Sequence, residues 1–186
     1  TDSILQWAKI NFQIEEEAFR AGFSKLKPFV VMQLAIQIQF VGKTESYEIS
    51  FLKIAKEHNI EVKGLETISE QMALFDNLTN MQQVEMLMEI IREGDETIKH
   101  IKDLQELFVT QNIDSLFLFI TEDNSVISDK QNEFIDARNK TWIPKIIEYI
   151  THNRTFIAVG AGHLGGVNGI IRLLESEGYN LTPIKL

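Results

Sequence analysis

The chain has 186 residues and no cysteine, and its 18 basic against 27 acidic residues give a formal net charge of −9. That length can bury a sizeable hydrophobic core, and a composition with 44% hydrophobic and 24% charged residues is ordinary for a globular protein. The lack of cysteine excludes a disulfide framework, a thiolate nucleophile and a cysteine-ligated metal site. The acidic balance argues against nucleic acid as a partner, because it offers no basic face to displace phosphate counterions.

Helical periodicity dominates the first half of the chain, and further helices are predicted up to residue 150. Capping signals at Ser3, Ser46 and Thr79, and Pro28 at a first helical turn, predict where four of the helices begin. The third helix is expected to turn Ile49, Leu52, Ile54 and Ala55 inward. The predicted helices cover residues 3–22, 28–40, 46–59, a segment beginning at 69, 79–92, 95–109, 114–120 and 132–150, the last with a kink at Pro144. Residues 122–130 read as a polar connector.

Three short apolar segments have the pattern of β-strands. Residues 60–65 alternate briefly, residues 155–159 read as a buried strand, and residues 179–184 form a last candidate strand. A helix predicted over 167–177 connects the last two strands, so the C-terminus reads as one βαβ unit. We therefore expect an α/β fold that is rich in helix, with a small and mostly parallel sheet.

The glycine-rich turn after residue 159 is the most informative motif. Gly160, Gly162 and Gly165 match GxGxxG, but no acidic residue follows at the end of a further strand, so a nucleotide cofactor is not expected. His163 lies within this turn, at the end of a predicted strand where α/β sheets bind ligands. Its imidazole could bind a metal or transfer a proton, or it could only cap the turn. Gly166 and the other glycines are expected to let backbone or substrate approach closely.

Glu66, Arg138 and Asn139 are the other candidate site residues. Glu66 follows the first predicted strand, so it could reach the same sheet edge as His163 as a metal ligand or general base. The alternative is that Glu66 is only an N-cap-like acidic residue before the helix that begins near Ser69. Arg138 and Asn139 offer a guanidinium and an amide that could clamp a carboxylate such as Glu66, although such residues are more often exposed.

Several blocks of this sequence, in the same order, resemble the TraB/PrgY/GumN family, which is distantly related to the TIKI metalloproteases. The strongest is Phe156 to Gly166, read as FIAVGAGHLGG, followed by the helix and strand to Tyr179. Residues 54–75, with GLET and EQMALF, resemble the central block of the family, and residues 137–142, ARNKTW, resemble its RN…W helix. Leu26-Lys-Pro28 resembles the lysine–proline start of an upstream helix.

The resemblance implies an α/β fold like that of the erythromycin-esterase, ChaN and TIKI group, and a metal-dependent hydrolase activity. In the proteolytic relatives, two Gly-x-x-His motifs and an acidic residue form the active site, and His163 matches the second motif. Because no Gly-x-x-His precedes Gly160 and the chain begins with Thr1, we interpret residues 1–186 as one TraB/GumN-like domain lacking its N-terminal part. The fragment alone is expected to be inactive.

The residues and the resemblance together suggest two possible functions. The first is a metal-dependent, peptidase-like hydrolase in which His163 binds Mn²⁺, Co²⁺ or Zn²⁺ and Glu66 and Arg138 are catalytic. Gly160, Gly162, Gly165, Gly166 and Asn139 would contact the substrate, a peptide or a small molecule. The second is a non-catalytic protein on the same fold that binds a peptide signal. Self-association stays open, and the resemblance suggests an intact protein exported to, or lipid-anchored in, the bacterial envelope.

Overall fold

The computed structural model describes residues 2–23, 25–39, 45–93, 95–122, 130 and 132–184. The predicted connector over 122–130 lies almost entirely outside the described residues. Within them, no helix is both long and apolar enough to cross a membrane. The α-helices are α1 (Asp2–Phe12), α2 (Glu16–Phe23), α3 (Pro28–Gln39), α4 (Tyr47–Glu57), α5 (Ile68–Asp76), α6 (Asn80–Glu93), α7 (Asp95–Val109), α8 (Ile113–Thr121), α9 (Ala137–His152) and α10 (Ile170–Ser176). A π-helical turn, Asn132–Asp136, leads into α9, and a 3-10 turn, Ala161–His163, follows it.

The predicted α/β fold with a parallel sheet is wrong for this structure. The described residues contain no β-strand, and the segments 60–65, 155–159 and 179–184 form no ladder with one another. The burial predicted for the second segment is also wrong in part, because only Ile157 and Val159 pack against the core, each half-buried, while Phe156 is exposed. A strand also needs a neighbour that supplies main-chain hydrogen bonds, and the local pattern does not specify one.

The starts of several helices follow from local capping, as predicted. The Ser46 hydroxyl accepts a hydrogen bond from the Ile49 N–H at 3.3 Å, and α4 begins at the next residue. Thr79 and Gln82 form a reciprocal capping box before α6, and Pro28 is the first residue of α3. The predicted helix over 3–22 is instead divided into α1 and α2, because Gln13 has a positive φ of 55° that ends α1.

The chain forms two compact units. The first contains residues 1–45 and 75–102, and its described part packs α1 and α3 against α6. Its buried apolar residues are Ala8, Val31, Met32, Leu78, Met86 and Leu87. The buried Gln83 amide donates to the main-chain oxygens of Phe75 and Leu78, so the turn before α6 is hydrogen-bonded to that helix.

The second unit contains residues 46–74 and 103–186 and includes every predicted site residue. Its core lies between α9 and α10, with Ile146 fully buried at its centre. Leu65 and Leu164, which flank two of the predicted site residues, pack against the same core. The predicted helix over 167–177 is shorter, since α10 begins only at Ile170. Pro144 lies inside α9, which continues past it to His152.

Helix α4 does not bury the face that its pattern predicts. Ala55 is buried as expected, but Ile49, Leu52 and Ile54 are 70%, 53% and 49% exposed. Helical periodicity shows that apolar residues share a face, but it does not show that another element covers that face. The inward orientation predicted for these three residues is therefore wrong within the described unit.

Candidate functional site

His163 lies in a hydrogen-bonded turn between the end of the 155–159 segment and α10. Its N–H donates to the Gly160 carbonyl at 2.9 Å, and the Leu164 N–H donates to the Ala161 carbonyl at 3.1 Å. Gly166 has a φ of +79°, and a Cβ there would lie 2.5 Å from the Phe117 ring of α8. The turn is therefore closely packed on α8, and glycine is required where it changes direction.

The Asn139 side chain of α9 joins the imidazole of His163 to the turn. Asn139 is fully buried, and its Nδ2 donates to the carbonyls of His163 at 3.2 Å and Asn168 at 2.8 Å. Its Oδ1 lies 2.7 Å from His163 Nδ1. Flipping the amide would place Oδ1 against two carbonyl oxygens, so Oδ1 must face the ring, and Nδ1 must carry the proton. In the neutral imidazole, Nε2 is then left with a free lone pair.

Burial keeps this imidazole neutral. Burial, together with the smaller effect of the nearby positive charge of Arg138, lowers the pKa of His163 from 6.5 to about 4, although the charge of Glu66 acts in the opposite direction. A histidine with so low a pKa is a weak general base at neutral pH. A neutral ring with a bare Nε2 is, however, the form that binds a metal ion or accepts a hydrogen bond.

Glu66 and Arg138 form a largely buried ion pair beside this ring. Arg138 Nε donates to Glu66 Oε2 at 3.0 Å and Nη2 donates to Oε1, so the pairing is bidentate. The side chain of Arg138 is 17% exposed and that of Glu66 is 18% exposed. Arg138 Nη1 also donates to the Phe134 carbonyl at 3.0 Å, and Lys145 Nζ donates to the Leu65 carbonyl at 2.7 Å. These contacts attach the loop that carries Glu66 to α9.

Trp142 lies between the ion pair and the histidine. The Arg138 guanidinium is 4.8 Å from the centre of the indole ring, and the His163 ring centre is 4.6 Å from it. Because Arg138 and Trp142 are four residues apart on α9, their side chains share one helix face. The indole therefore joins Glu66, Arg138, Asn139 and His163 into one continuous cluster.

The structure brings together four of the predicted site residues. The contact expected between Arg138 and Glu66 is present, and the alternative for Glu66 as a helix-start residue is wrong, since Thr67 and Glu70 form the capping box of α5. A Cβ at Gly162 or Gly165 would contact side chains of α8, so these glycines serve packing in the turn. Gly160 is exposed at the start of the turn. The catalytic and substrate-contacting roles of these residues stay predictions.

Sequence reasoning did not select Trp142, Asp136 or Asn168 for the site. The spacing of Arg138 and Trp142 by four helical positions was a usable signal. No comparable signal existed for Asn168, whose side chain donates to Asp136 across 32 positions of sequence at 2.9 Å. Such a pairing arises only from the packing of α9 against the glycine turn.

We expect the stability of the protein to fall as the pH drops from 6.5 towards 4. The His163 pKa is about 4 in the folded state and 6.5 as an ordinary histidine, so the unfolded state binds more protons in this window. Between pH 7 and pH 5 the parent should lose about 2 kcal/mol more unfolding free energy than His163→Gln. Urea unfolding at both pH values measures the difference, and equal losses would contradict the burial of a neutral ring.

We also expect a measurable coupling between Glu66 and Arg138. A double-mutant cycle with Glu66→Gln and Arg138→Gln should give about 1–3 kcal/mol, because either single change leaves its partner largely buried without its counter-charge. The exposed pair Arg172–Glu175 is the matched control in the same unit, with side chains 70% and 39% exposed. Its coupling should stay below about 0.5 kcal/mol. Equal coupling energies for the two pairs would show that the Glu66–Arg138 ion pair contributes no more to stability than an exposed pair.

Comparison with known protein families shows to which family the chain belongs. The described residues form a helical structure in which a buried asparagine fixes a Gly-x-x-His turn next to an Arg–Glu ion pair. This arrangement does not by itself define a reaction. The family model of the TraB/PrgY/gumN family matches residues 3–183, and the chain belongs to that family. No curated protein and no solved structure matches it.

Proposed function

We propose that this chain is part of a metal-dependent hydrolase in which His163 supplies one metal ligand through Nε2. The observation that carries the proposal is the Asn139 amide, whose two hydrogen bonds to main-chain carbonyls oblige His163 to hold its proton on Nδ1. Metal-binding histidines are fixed in this way by a hydrogen bond from the second ring nitrogen.

The donor set of the described residues fits such a metal in part. Catalytic zinc sites use three protein ligands, and no group of three or more His, Asp or Glu residues lies together in the part of the chain that the structure describes. The Glu66 carboxylate is already bound by Arg138 through both oxygens. His163 therefore fits as one ligand, and further ligands would have to come from residues other than those described.

The residues of this cluster have different roles in the proposed site. A divalent ion, when bound, would lower the pKa of a water molecule or polarise a carbonyl. Asn139 holds the His163 ring in one tautomer, and Trp142 covers one side of that ring. The Glu66–Arg138 pair fixes the loop at residues 65–66 against α9. Both oxygens of Glu66 accept hydrogen bonds from Arg138, so a general-base role for Glu66 would require this pair to separate.

The second candidate is a protein that binds a peptide signal without cleaving it. One observation favours it: the carboxylate expected to ligate the metal or act as base is bound by Arg138 instead. A ring with a bare Nε2 would then accept a hydrogen bond from the ligand. Family membership by itself is compatible with both candidates.

Metal titration of the full-length protein tests the proposal. Calorimetry with Mn²⁺, Co²⁺ and Zn²⁺ should show that His163→Ala weakens binding of at least one ion by about 100-fold, as expected for loss of a ligand. His152→Ala, which removes an exposed histidine at the end of α9, should leave binding unchanged. If His163→Ala binds all three ions as tightly as the parent, the assignment is wrong. Tight binding at His163 without hydrolysis of any peptide in a broad panel would favour the second candidate.

A further inference from the structure

Asp136 is a buried carboxylate that the proposed function does not use. It is 8% exposed and lies at the junction between the π-helical turn and α9. Its Oδ2 accepts a hydrogen bond from Asn168 Nδ2 at 2.9 Å, and its Oδ1 is buried with no hydrogen-bond partner among the described residues. A buried carboxylate with one oxygen unpaired lowers stability, which points to another role for Asp136.

Asn168 connects this carboxylate to the histidine. Its side chain donates to Asp136, and its main-chain carbonyl accepts from Asn139 Nδ2 at 2.8 Å. Asn139 in turn contacts His163 through Oδ1 and Nδ2. The hydrogen bonds thus run without a gap from Asp136 to the imidazole.

The two sides of this hydrogen-bond network differ in the regularity of their backbone. Asp136 ends the π-helical turn, and Asn139 lies three residues later in the first turn of α9, and both are buried. Asn168 lies in the irregular stretch between the 3-10 turn and α10, where no helical hydrogen bond fixes its carbonyl. Two hydrogen bonds to one helix, through the side chain and the carbonyl, therefore fix both the place and the orientation of that residue.

We infer that Asp136 and Asn168 are positioning residues for His163. They hold the Asn168 carbonyl where it takes one amide proton of Asn139, and this fixes Asn139 Oδ1 against Nδ1 of the ring. The outcome is a single tautomer with Nε2 unprotonated. The inference deepens the proposed function, since it concerns the same Nε2, but its readout needs neither metal nor substrate.

The test is the tautomer of His163, read from long-range proton–nitrogen NMR correlations of the ¹⁵N-labelled chain at pH 7. Asn168→Asp removes the donor and places two carboxylates together, so it should lower the fraction of Nδ1-protonated ring. It should also speed solvent exchange of the Asn139 amide protons by at least tenfold. The reciprocal double variant Asp136→Asn/Asn168→Asp keeps the charge and reverses the hydrogen bond, and it should restore both signals to the parent values.

Two further variants complete the design. Asn180→Asp makes the same chemical change at an exposed position and should leave the His163 spectrum unchanged. Asn168→Ala removes the donor without adding a charge and replaces Asn168→Asp in the comparison if that variant fails to fold. A folded Asn168 variant with the parent tautomer and parent amide exchange overturns the inference. So does a reciprocal variant that does not restore the parent spectrum, whether it folds or not. Failure of metal binding with an intact Nδ1-protonated ring would count against the proposed function alone.

Discussion

Gly169→Ala is expected to lower the free energy of unfolding by about 3 kcal/mol or more, because it overfills the turn that carries His163. A Cβ at this position would lie 2.3 Å from the main-chain oxygens of Gly165 and Leu164. Main-chain atoms cannot move aside as the end of a flexible side chain can. Gly169 also donates to the Gly166 carbonyl and accepts from the Leu173 N–H, so any displacement would disturb the start of α10.

Urea unfolding in a Trp7→Phe background measures this effect. The protein has two tryptophans, so Trp142 becomes the single fluorescent reporter and lies in the unit under test. Gly178→Ala is the matched control, because Gly178 has open space around it and a φ of +89°. It should cost about 1 kcal/mol from backbone conformation alone. A loss for Gly169→Ala no larger than that of the control would show that the turn is not packed as described.

Asn139→Leu is expected to destabilise the protein by about 2–5 kcal/mol. Leucine is similar in size to asparagine, but it would leave the partly buried carbonyls of His163 and Asn168 without their donor, and a buried group left unpaired costs about 1–3 kcal/mol. The His163 Nδ1–H would also lose its acceptor. The loss should therefore exceed what the change in side-chain volume alone would cause.

The same fluorescence assay gives the measurement, with Asn180→Leu as the control. Asn180 is exposed after α10, so its replacement should stay within about 0.5 kcal/mol of the parent. If Asn139→Leu were equally mild, the amide could not be holding the turn and the ring together. The assignment of the His163 proton to Nδ1 would then lose its basis.

Local signals in the sequence predicted the helix starts well. Ser46, Thr79 and Pro28 mark the beginnings of α4, α6 and α3 because capping and the restricted φ of proline act over only a few residues. The face of α4 was predicted less well, since Ile49 and Leu52 are exposed. Coverage of a helix face depends on distant parts of the chain, which periodicity does not describe.

In the candidate site, the contact between Glu66 and Arg138 was predicted correctly, but the sheet edge expected to bring the site together was wrong. Glu66 and Arg138 are 72 positions apart and do pair, as expected of a carboxylate and a guanidinium near one site. The sheet edge that was to bring Glu66 and His163 together does not exist among the described residues. Instead, the packing of α9 against the glycine turn brings Glu66 and His163 close together. Asn139, Asp136 and Asn168 stabilise this packing through long-range hydrogen bonds that no local motif encodes.

The most direct test of this account is the protonation of the His163 ring in the parent chain at pH 7. Long-range proton–nitrogen correlations distinguish a protonated from an unprotonated ring nitrogen. The hydrogen bonds of Asn139 predict a neutral ring with the proton on Nδ1 and none on Nε2. A ring that carries its proton on Nε2, or that is doubly protonated at this pH, would contradict the account.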